Sequence, residues 1–242
     1  MEPPSGEPFS LSGTKGIWTP EHSAQVGQYL ATSLPGLVGV AQGRGHQGND
    51  PVDHTVMGLN YCMNNPLDAT HGLPKRAAQL LRLAFSFHDL GKVNGGKRNY
   101  THQKSSYKIA LPFLKQFTLS PEEHETVKTL IHHHHAFGDL FAHLSRLSDS
   151  AYKDPSDHGD GIVDEKKFVR IARTPEIGDL LSRMWHADYG GMGNDGRKSG
   201  LLFKTRKAIM NHVAPFFEET QKSLWVTQVP FPFARWMTVS DV

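Results

Sequence analysis

Within the run Phe87-His88-Asp89-Leu90-Gly91-Lys92, an imidazole, a carboxylate and an ammonium group follow one another closely. Imidazole and carboxylate together suit zinc, iron, manganese and similar divalent ions. A single His-Asp pair arises by chance in many chains, so the weight falls on what else could complete a site. In chain order the candidates are His54, His88, Asp89, His102, His134, His135 and Asp188, drawn from a chain with 15 histidines in 242 residues. Histidine is both the commonest metal ligand and the side chain that titrates near neutral pH. The cluster His132, His133, His134 and His135 lies in mid-chain behind a helical pattern, which sets it apart from an artificial tag.

The elements that must position these residues are helical nearly throughout, with proline in the first turn as a recurring start signal. Thr19-Pro20-Glu21 opens a helix that stops near Pro35-Gly36; a Gly/Asn-rich loop covers 43–51, and a helix follows over about 52–63. Pro74 opens the next helix, whose Ala77, Leu80, Leu81, Ala84 and Phe85 describe one buried face that His88 continues. Ser120-Pro121-Glu122-Glu123 is a capping box, and its helix carries Val127, Leu130 and Ile131 inward with His134 and His135 a turn later. Thr174-Pro175 starts a helix with Ile177, Leu180, Leu181, Met184 and Trp185 on one side and Asp188 on the same stripe. A last helix is expected over 201–218. Three helices therefore run apolar for two or more turns and then present His or Asp on the buried side. Buried His and Asp need partners, and one shared metal centre would satisfy them all. In the four-histidine run the apolar stripe selects His134 and His135, with His133 the main competitor and His132 outside the ligand set. His186 points off its stripe.

Composition bounds the rest. A chain this long accommodates one large domain, or a core domain with modest additions. Hydrophobic content of 38% and charged content of 21% are ordinary for a globular protein. A net charge of +2 permits an anionic substrate without arguing for a large nucleic-acid footprint. The single cysteine, Cys62, excludes an intrachain disulfide and favours a cytoplasmic setting. No apolar run is long enough for a membrane span and no signal peptide is visible, so no membrane partner is expected. Residues 1–16, rich in Pro, Gly and Ser, read as a flexible arm, 17–220 as the domain, and 221–242 as an aromatic and proline-rich tail. Residues 148–167 read as an exposed insertion or lid; their weak likeness to a calcium loop fails because Ser156 and His158 stand where carboxylates or Asn are needed. Lys97, Arg98, Lys104, Arg146, Arg197 and Lys198 are basic residues that could meet a substrate. The loop 190–200 directly after Asp188 could fold over the site. Strands, internal repeats and a Gly-rich phosphate loop are not evident.

The ordered set resembles the HD phosphohydrolase superfamily, whose signature is a His, a His-Asp doublet and a distant Asp on an all-helical scaffold. His54, in Asp53-His54-Thr55-Val56-Met57-Gly58-Leu59, is similar to the first motif, and Trp185-His186-Ala187-Asp188 resembles the closing one. The resemblance spans His54 to Asp188 and implies an all-α HD-domain helical bundle with an exposed loop insertion and an irregular C-terminal tail. His102 and the pair His134-His135 look like the additional ligands of dinuclear members, most like the HD nuclease domain of type I CRISPR helicase-nucleases. The elements that mark the HD-GYP phosphodiesterase branch are absent. The implied cofactor is a divalent transition metal, two ions of Mn, Ni, Co, Fe or Zn, held by His54, His88, Asp89, His102, His134, His135 and Asp188, with Asp89 as bridge. Ions so held would acidify a water and counter phosphate charge, with Asp89 and Lys92 as catalytic residues. The implied activity is hydrolysis of phosphoester bonds in nucleotides or single-stranded nucleic acid, with a helicase or nucleoprotein complex as a possible partner. A diiron oxygenase on the same scaffold and a non-catalytic regulatory domain are the competing functions.

Overall fold

The structure, a computed structural model, describes residues 8–12, 17–42, 50–63, 68–94, 102–148, 163–190 and 196–225. Among the described residues nine α-helices form and no strand does: α1 (Pro20–Ser33), α2 (Pro51–Asn60), α3 (Lys75–Phe87), α4 (His102–Leu114), α5 (Pro121–His132), α6 (Ala136–Ser148), α7 (Glu165–Ala172), α8 (Pro175–Gly190) and α9 (Gly196–Trp225). Short 3-10 turns cover Pro35–Leu37 and Leu90–Asn94. The expected all-α bundle is what forms.

The helix starts follow from local chemistry. Asp50 caps α2 by accepting from the N–H groups of Val52 and Asp53, both at 2.9 Å, ahead of Pro51 in the first turn. The capping box of α5 is complete: Ser120 Oγ accepts from Glu123 N at 3.2 Å and Ser120 N donates to Glu123 Oε2 at 2.9 Å. His22 plays the reciprocal role for α1, its Nδ1 lying 3.1 Å from Thr19 N. Thr174 Oγ1 accepts from Ile177 N at the start of α8.

Helix α3 is the centre of the bundle, packed by α2, α4, α5 and α8. Its periodicity predicts one buried face, but every residue from Leu80 to Phe87 is buried. The polar members survive there because they are satisfied: Arg82 donates to the carbonyls of Cys62 at 3.0 Å and Leu11 at 3.2 Å, lies 4.8 Å over the Trp18 ring, and Ser86 Oγ donates to Arg82 O. This also changes the picture of the N-terminal arm. Instead of hanging free, Phe9 and Leu11 are buried, and the Phe9 ring meets Tyr29, Phe87 and Phe117. Three aromatic contacts outweigh the local Pro/Gly content.

Two boundaries differ from the sequence pattern. Residues 163–167 belong to the fold and not to the exposed insertion: Val163 is fully buried, and Asp164 Oδ1 accepts from Lys167 N to cap α7. Glu165, the last element of the calcium-loop likeness, instead meets His212 of α9 at 2.9 Å; Asp154, Ser156, His158 and Gly159 lie outside the described residues. Helix α9 begins at Gly196 and continues to Trp225, longer at both ends than the span 201–218 and entering the segment read as a tail. Residues 226–242 lie outside the described residues. No helix among those described is long and apolar enough to cross a membrane.

Candidate metal centre

Five elements converge on one buried point. His54 comes from the middle of α2, His88 and Asp89 from the C-terminal end of α3, His102 from the first turn of α4, His134 and His135 from the tight turn between α5 and α6, and Asp188 from the last turn of α8. Asp89 stands at the middle. Its Oδ2 faces His88 Nε2 at 3.4 Å and His54 Nε2 at 3.9 Å, while its Oδ1 faces His102 Nε2 at 3.2 Å and His134 Nε2 at 3.9 Å. Asp188 Oδ1 lies 2.7 Å from His54 Nε2 and 3.6 Å from His88 Nε2. The side chains thus sort into two groups, each with ligand atoms within 4.8 Å of one another: His54, His88 and Asp89, and His102, His134 and His135.

The residues fit divalent ions on several structural grounds. His88 Nδ1 is 2.7 Å from Phe85 O and His134 Nδ1 is 2.8 Å from Ile131 O. Donation to those carbonyls keeps the proton on Nδ1 and leaves the Nε2 lone pair facing inward, the orientation that metal-binding histidines adopt. His88 Nε2 is buried with no hydrogen-bond partner, an arrangement that is costly unless something else occupies the lone pair. His102 and His134 bring their Nε2 atoms to 3.3 Å of each other. Gln103 Nε2 lies 2.9 Å from His135 Nδ1, where its amide N–H donates to the ring and fixes its orientation.

The electrostatics agree with this. Burial alone would raise the carboxyl of Asp89, but His88, Lys92 and His102 hold it well below its ordinary value. Burial opposes ionisation of Asp188 as well, and His54 and His88 overcome it. Desolvation, joined by the neighbouring imidazoles, pushes His134 well below the usual range and His135 down to about 4. For His54, burial acts to lower the imidazole and is outweighed by Asp188 and then Asp89, so it is raised. The centre therefore holds ionised carboxylates beside the neutral imidazoles of His134 and His135, the protonation states that metal ligation requires.

Local sequence explains the approach of α4. A Cβ on Gly91 would overlap the carbonyl oxygen of His102, and Gly91 N donates to Ser106 Oγ at 2.8 Å. Glycine after the doublet is what lets the first turn of α4 press its histidine into the centre. Lys92, in the following 3-10 turn, donates from Nζ to Asp89 Oδ2 at 2.5 Å and to Gln42 Oε1 at 2.7 Å.

All seven sequence candidates come together, with Lys92 beside them. In the four-histidine run the geometry separates the pairs: His134 and His135 enter the centre, while His132 and His133 face a cleft on the other side of α5. His186 is buried away from both clusters, neither ring nitrogen hydrogen-bonded. Sequence reasoning missed Gln42 and Gln103. Nothing local distinguishes Gln42, whose contact with Lys92 spans 50 residues, whereas Gln103 could have been suspected as the neighbour of His102. Of the basic candidates, Lys97 and Arg98 lie outside the described residues, as do residues 191–195 of the loop after Asp188.

Residues 53–170, just under half of the chain, match the family model described as HD domain. No curated protein and no solved structure matches. The matched span holds every residue of the two clusters, and Asp188 is delivered from beyond it by α8. The chain therefore carries, over residues 53–170, an HD domain of the metal-dependent phosphohydrolase kind.

Proposed function

We propose that the protein hydrolyses phosphoester bonds in nucleotides or single-stranded nucleic acid at a dinuclear centre. His54, His88 and Asp188 would hold one divalent transition-metal ion, His102, His134 and His135 the other, and Asp89 would give one oxygen to each. When bound, the ions supply Lewis acidity toward phosphate oxygens and lower the pKa of water. The observation that carries this reading is Asp89, buried between two histidine clusters with a different carboxylate oxygen turned to each.

The chain's own groups account for the rest. Lys92, held against Asp89 and Gln42, places a positive charge at the rim of the centre, where it offsets phosphate charge and fixes the orientation of the bridging carboxylate. Low carboxyl pKa values keep Asp89 and Asp188 ionised at neutral pH, so neither serves as a proton donor there. A nucleobase has a surface to rest on: the Trp185 ring, one turn before Asp188, lies 5.7 Å from Phe141 and 5.8 Å from Tyr189, and these two flanking rings are 38% and 39% exposed. Stacking on such rings contributes about 1–3 kcal/mol per base and tolerates any base. The modest net charge of +2 favours a short substrate over a long nucleic-acid track. The nuclease branch, with a helicase or nucleoprotein complex as partner, keeps its support from the pattern of His102 with His134-His135. A free, buried Cys62 accords with a cytoplasmic site of action.

The test is turnover of a mononucleotide panel beside single-stranded DNA, with manganese, nickel or cobalt supplied and metal content measured on the same preparation. Release of phosphate or of shorter strands is expected. Failure of every substrate with every metal would overturn the proposal, and iron content accompanied by dioxygen uptake would assign the centre to an oxygenase instead.

A further inference from the structure

A second polar recess lies on the opposite face of α5 from the metal centre. Val127, Leu130, Ile131 and His134 point into the core and are buried, whereas Lys128, Thr129, His132 and His133 face outward and are half-buried. Opposite them stands α7, which packs on α6, α8 and α9. Between α5 and α7 this leaves a cleft of about 430 Å³, lined by Glu125, Lys128, Thr129, His132, His133, Lys167, Arg170, Ile171 and Arg173. That volume falls in the range of small-molecule sites.

Four cationic side chains face one carboxylate here. Glu125 is engaged by Lys128 at 2.8 Å and approached by Arg173 at 4.0 Å. Cations at helix C-termini have an ordinary explanation, because each helix end carries about half a negative charge. Both α5 and α7 end at this cleft, so the two ends and Glu125 together offset about two of the four positive charges. An excess of about two remains, before any charge on the imidazoles. Arg173 adds a separate observation. It occupies the C-cap of α7 with φ of 65° and donates its N–H to Val169 O at 2.7 Å. Glycine is the easy residue for that left-handed conformation, and arginine there costs about 1 kcal/mol. The strain places a guanidinium at the mouth of the cleft.

We infer that the α5–α7 cleft binds a multiply charged phosphate anion, a pyrophosphate or the phosphate tail of a nucleotide, at a site separate from the metal centre. Lys167 and Arg170 reach it from α7, Lys128 from α5 and Arg173 from the connection to α8. Ile171 and the two imidazoles supply a face that a base could cover. The inference stands whether or not the metal centre acts on nucleotides, since none of these side chains belongs to either ligand cluster.

Calorimetric titration of the metal-loaded protein, with magnesium in excess, tests it with inorganic pyrophosphate in one arm and a non-hydrolysable nucleoside triphosphate in the other. Asp89→Asn, whose metal centre is disabled, is expected to retain one binding event per chain, and that event weakens roughly tenfold when Lys167→Gln/Arg170→Gln is added, as loss of two charge-assisted contacts requires. Glu125→Gln should tighten binding, and Arg173→Gly should weaken it while leaving the melting temperature equal or higher, results that a damaged fold would not produce. Equal affinity in the two arms identifies the phosphates alone as the ligand, and tighter binding of the nucleotide adds the base. Binding that is lost in Asp89→Asn, is unchanged in the α7 double variant, or is matched by sulfate would overturn the inference.

Discussion

At the scale of single residues the centre depends on one carboxylate. Asp89 serves both clusters, so a change there differs in kind from a change at any one histidine. Asp89→Asn is expected to lower turnover on the order of a thousandfold or more and to reduce bound metal at both clusters, read by elemental analysis of the purified variant. His102→Ala should deplete the cluster of His134 and His135 and leave that of His54 and His88 loaded. If Asp89→Asn retained two ions per chain, Asp89 would not be the bridge. Lys92 has a different signature, because it contacts Asp89 without being a ligand. Lys92→Gln should cost about ten- to a hundredfold in kcat/KM with the metal content unchanged. Loss of metal together with activity would make it a structural prop for Asp89.

At the scale of elements, several features were legible beforehand because they are local. Capping boxes, Pro in the first turn and the 3.6-residue stripe need only neighbours within a few positions, and α1, α2, α3, α5 and α8 fall close to where these signals put them. The start of α9 and the existence of α7 were not read from the sequence; α7 carries a local cap in Asp164, but its tie to α9 through Glu165 and His212 spans 47 residues. Gly91 ties local sequence to the site. Gly91→Ala should push α4 away and loosen His102, lowering metal occupancy of that cluster more than global stability, which comparison of metal content with thermal unfolding would reveal. The α5 start offers a pH test. Arg76 holds the Glu123 carboxyl below its ordinary value near 4.5, through contacts of 2.6 and 2.7 Å. The folded state therefore binds the proton less readily than the unfolded one, and the stabilisation is complete above that ordinary value and lost as pH falls through the folded one. Glu123→Gln keeps the cap but not the charge, so it should be about 1 kcal/mol less stable at pH 7 and equal to the wild type in acid, as chemical denaturation would measure.

At the scale of the whole molecule, buried imidazoles couple the fold to pH and to metal. His186, fully buried, is pushed down to about 4 by desolvation and then by Arg206 and Arg183. His134 is likewise held well below its ordinary value by burial and its neighbouring histidines. In the unfolded chain these groups protonate near 6.5, so between about 4 and 6.5 the unfolded state holds more protons, and stability rises with pH across that window. Bound ions need neutral imidazoles at the ligand positions, His134 among them, which adds to the slope. Chelation should lower the melting temperature at pH 7.5, and return of the metal should restore it. It should also flatten, without abolishing, the loss of stability between pH 6.5 and 4.5. An unchanged melting temperature on chelation would mean that the centre holds no tightly bound ion. Cys62 is buried and pushed up to about 12 by desolvation, so thiol reagents should modify it only on unfolding.

The sequence by itself determined the chemistry on offer: which helices bury an apolar face, that three of them end in His or Asp, and that such a set suits a divalent metal centre. Those statements rest on residue type and short-range periodicity, which the chain carries wherever it folds, whereas the expectation of two ions came from the resemblance to dinuclear HD proteins. Tertiary structure alone decided that Asp89 turns a different oxygen to each cluster, that Gln42 and Gln103 support Lys92 and His135, and that Phe9 and Leu11 are anchored to the core. It alone also set α7 against α5 to form the basic cleft. Each of these depends on groups brought together from distant parts of the chain, such as His54 with Asp188 across 134 residues. Pairings of that kind are fixed by how the helices pack around α3, and no window of local sequence contains that information.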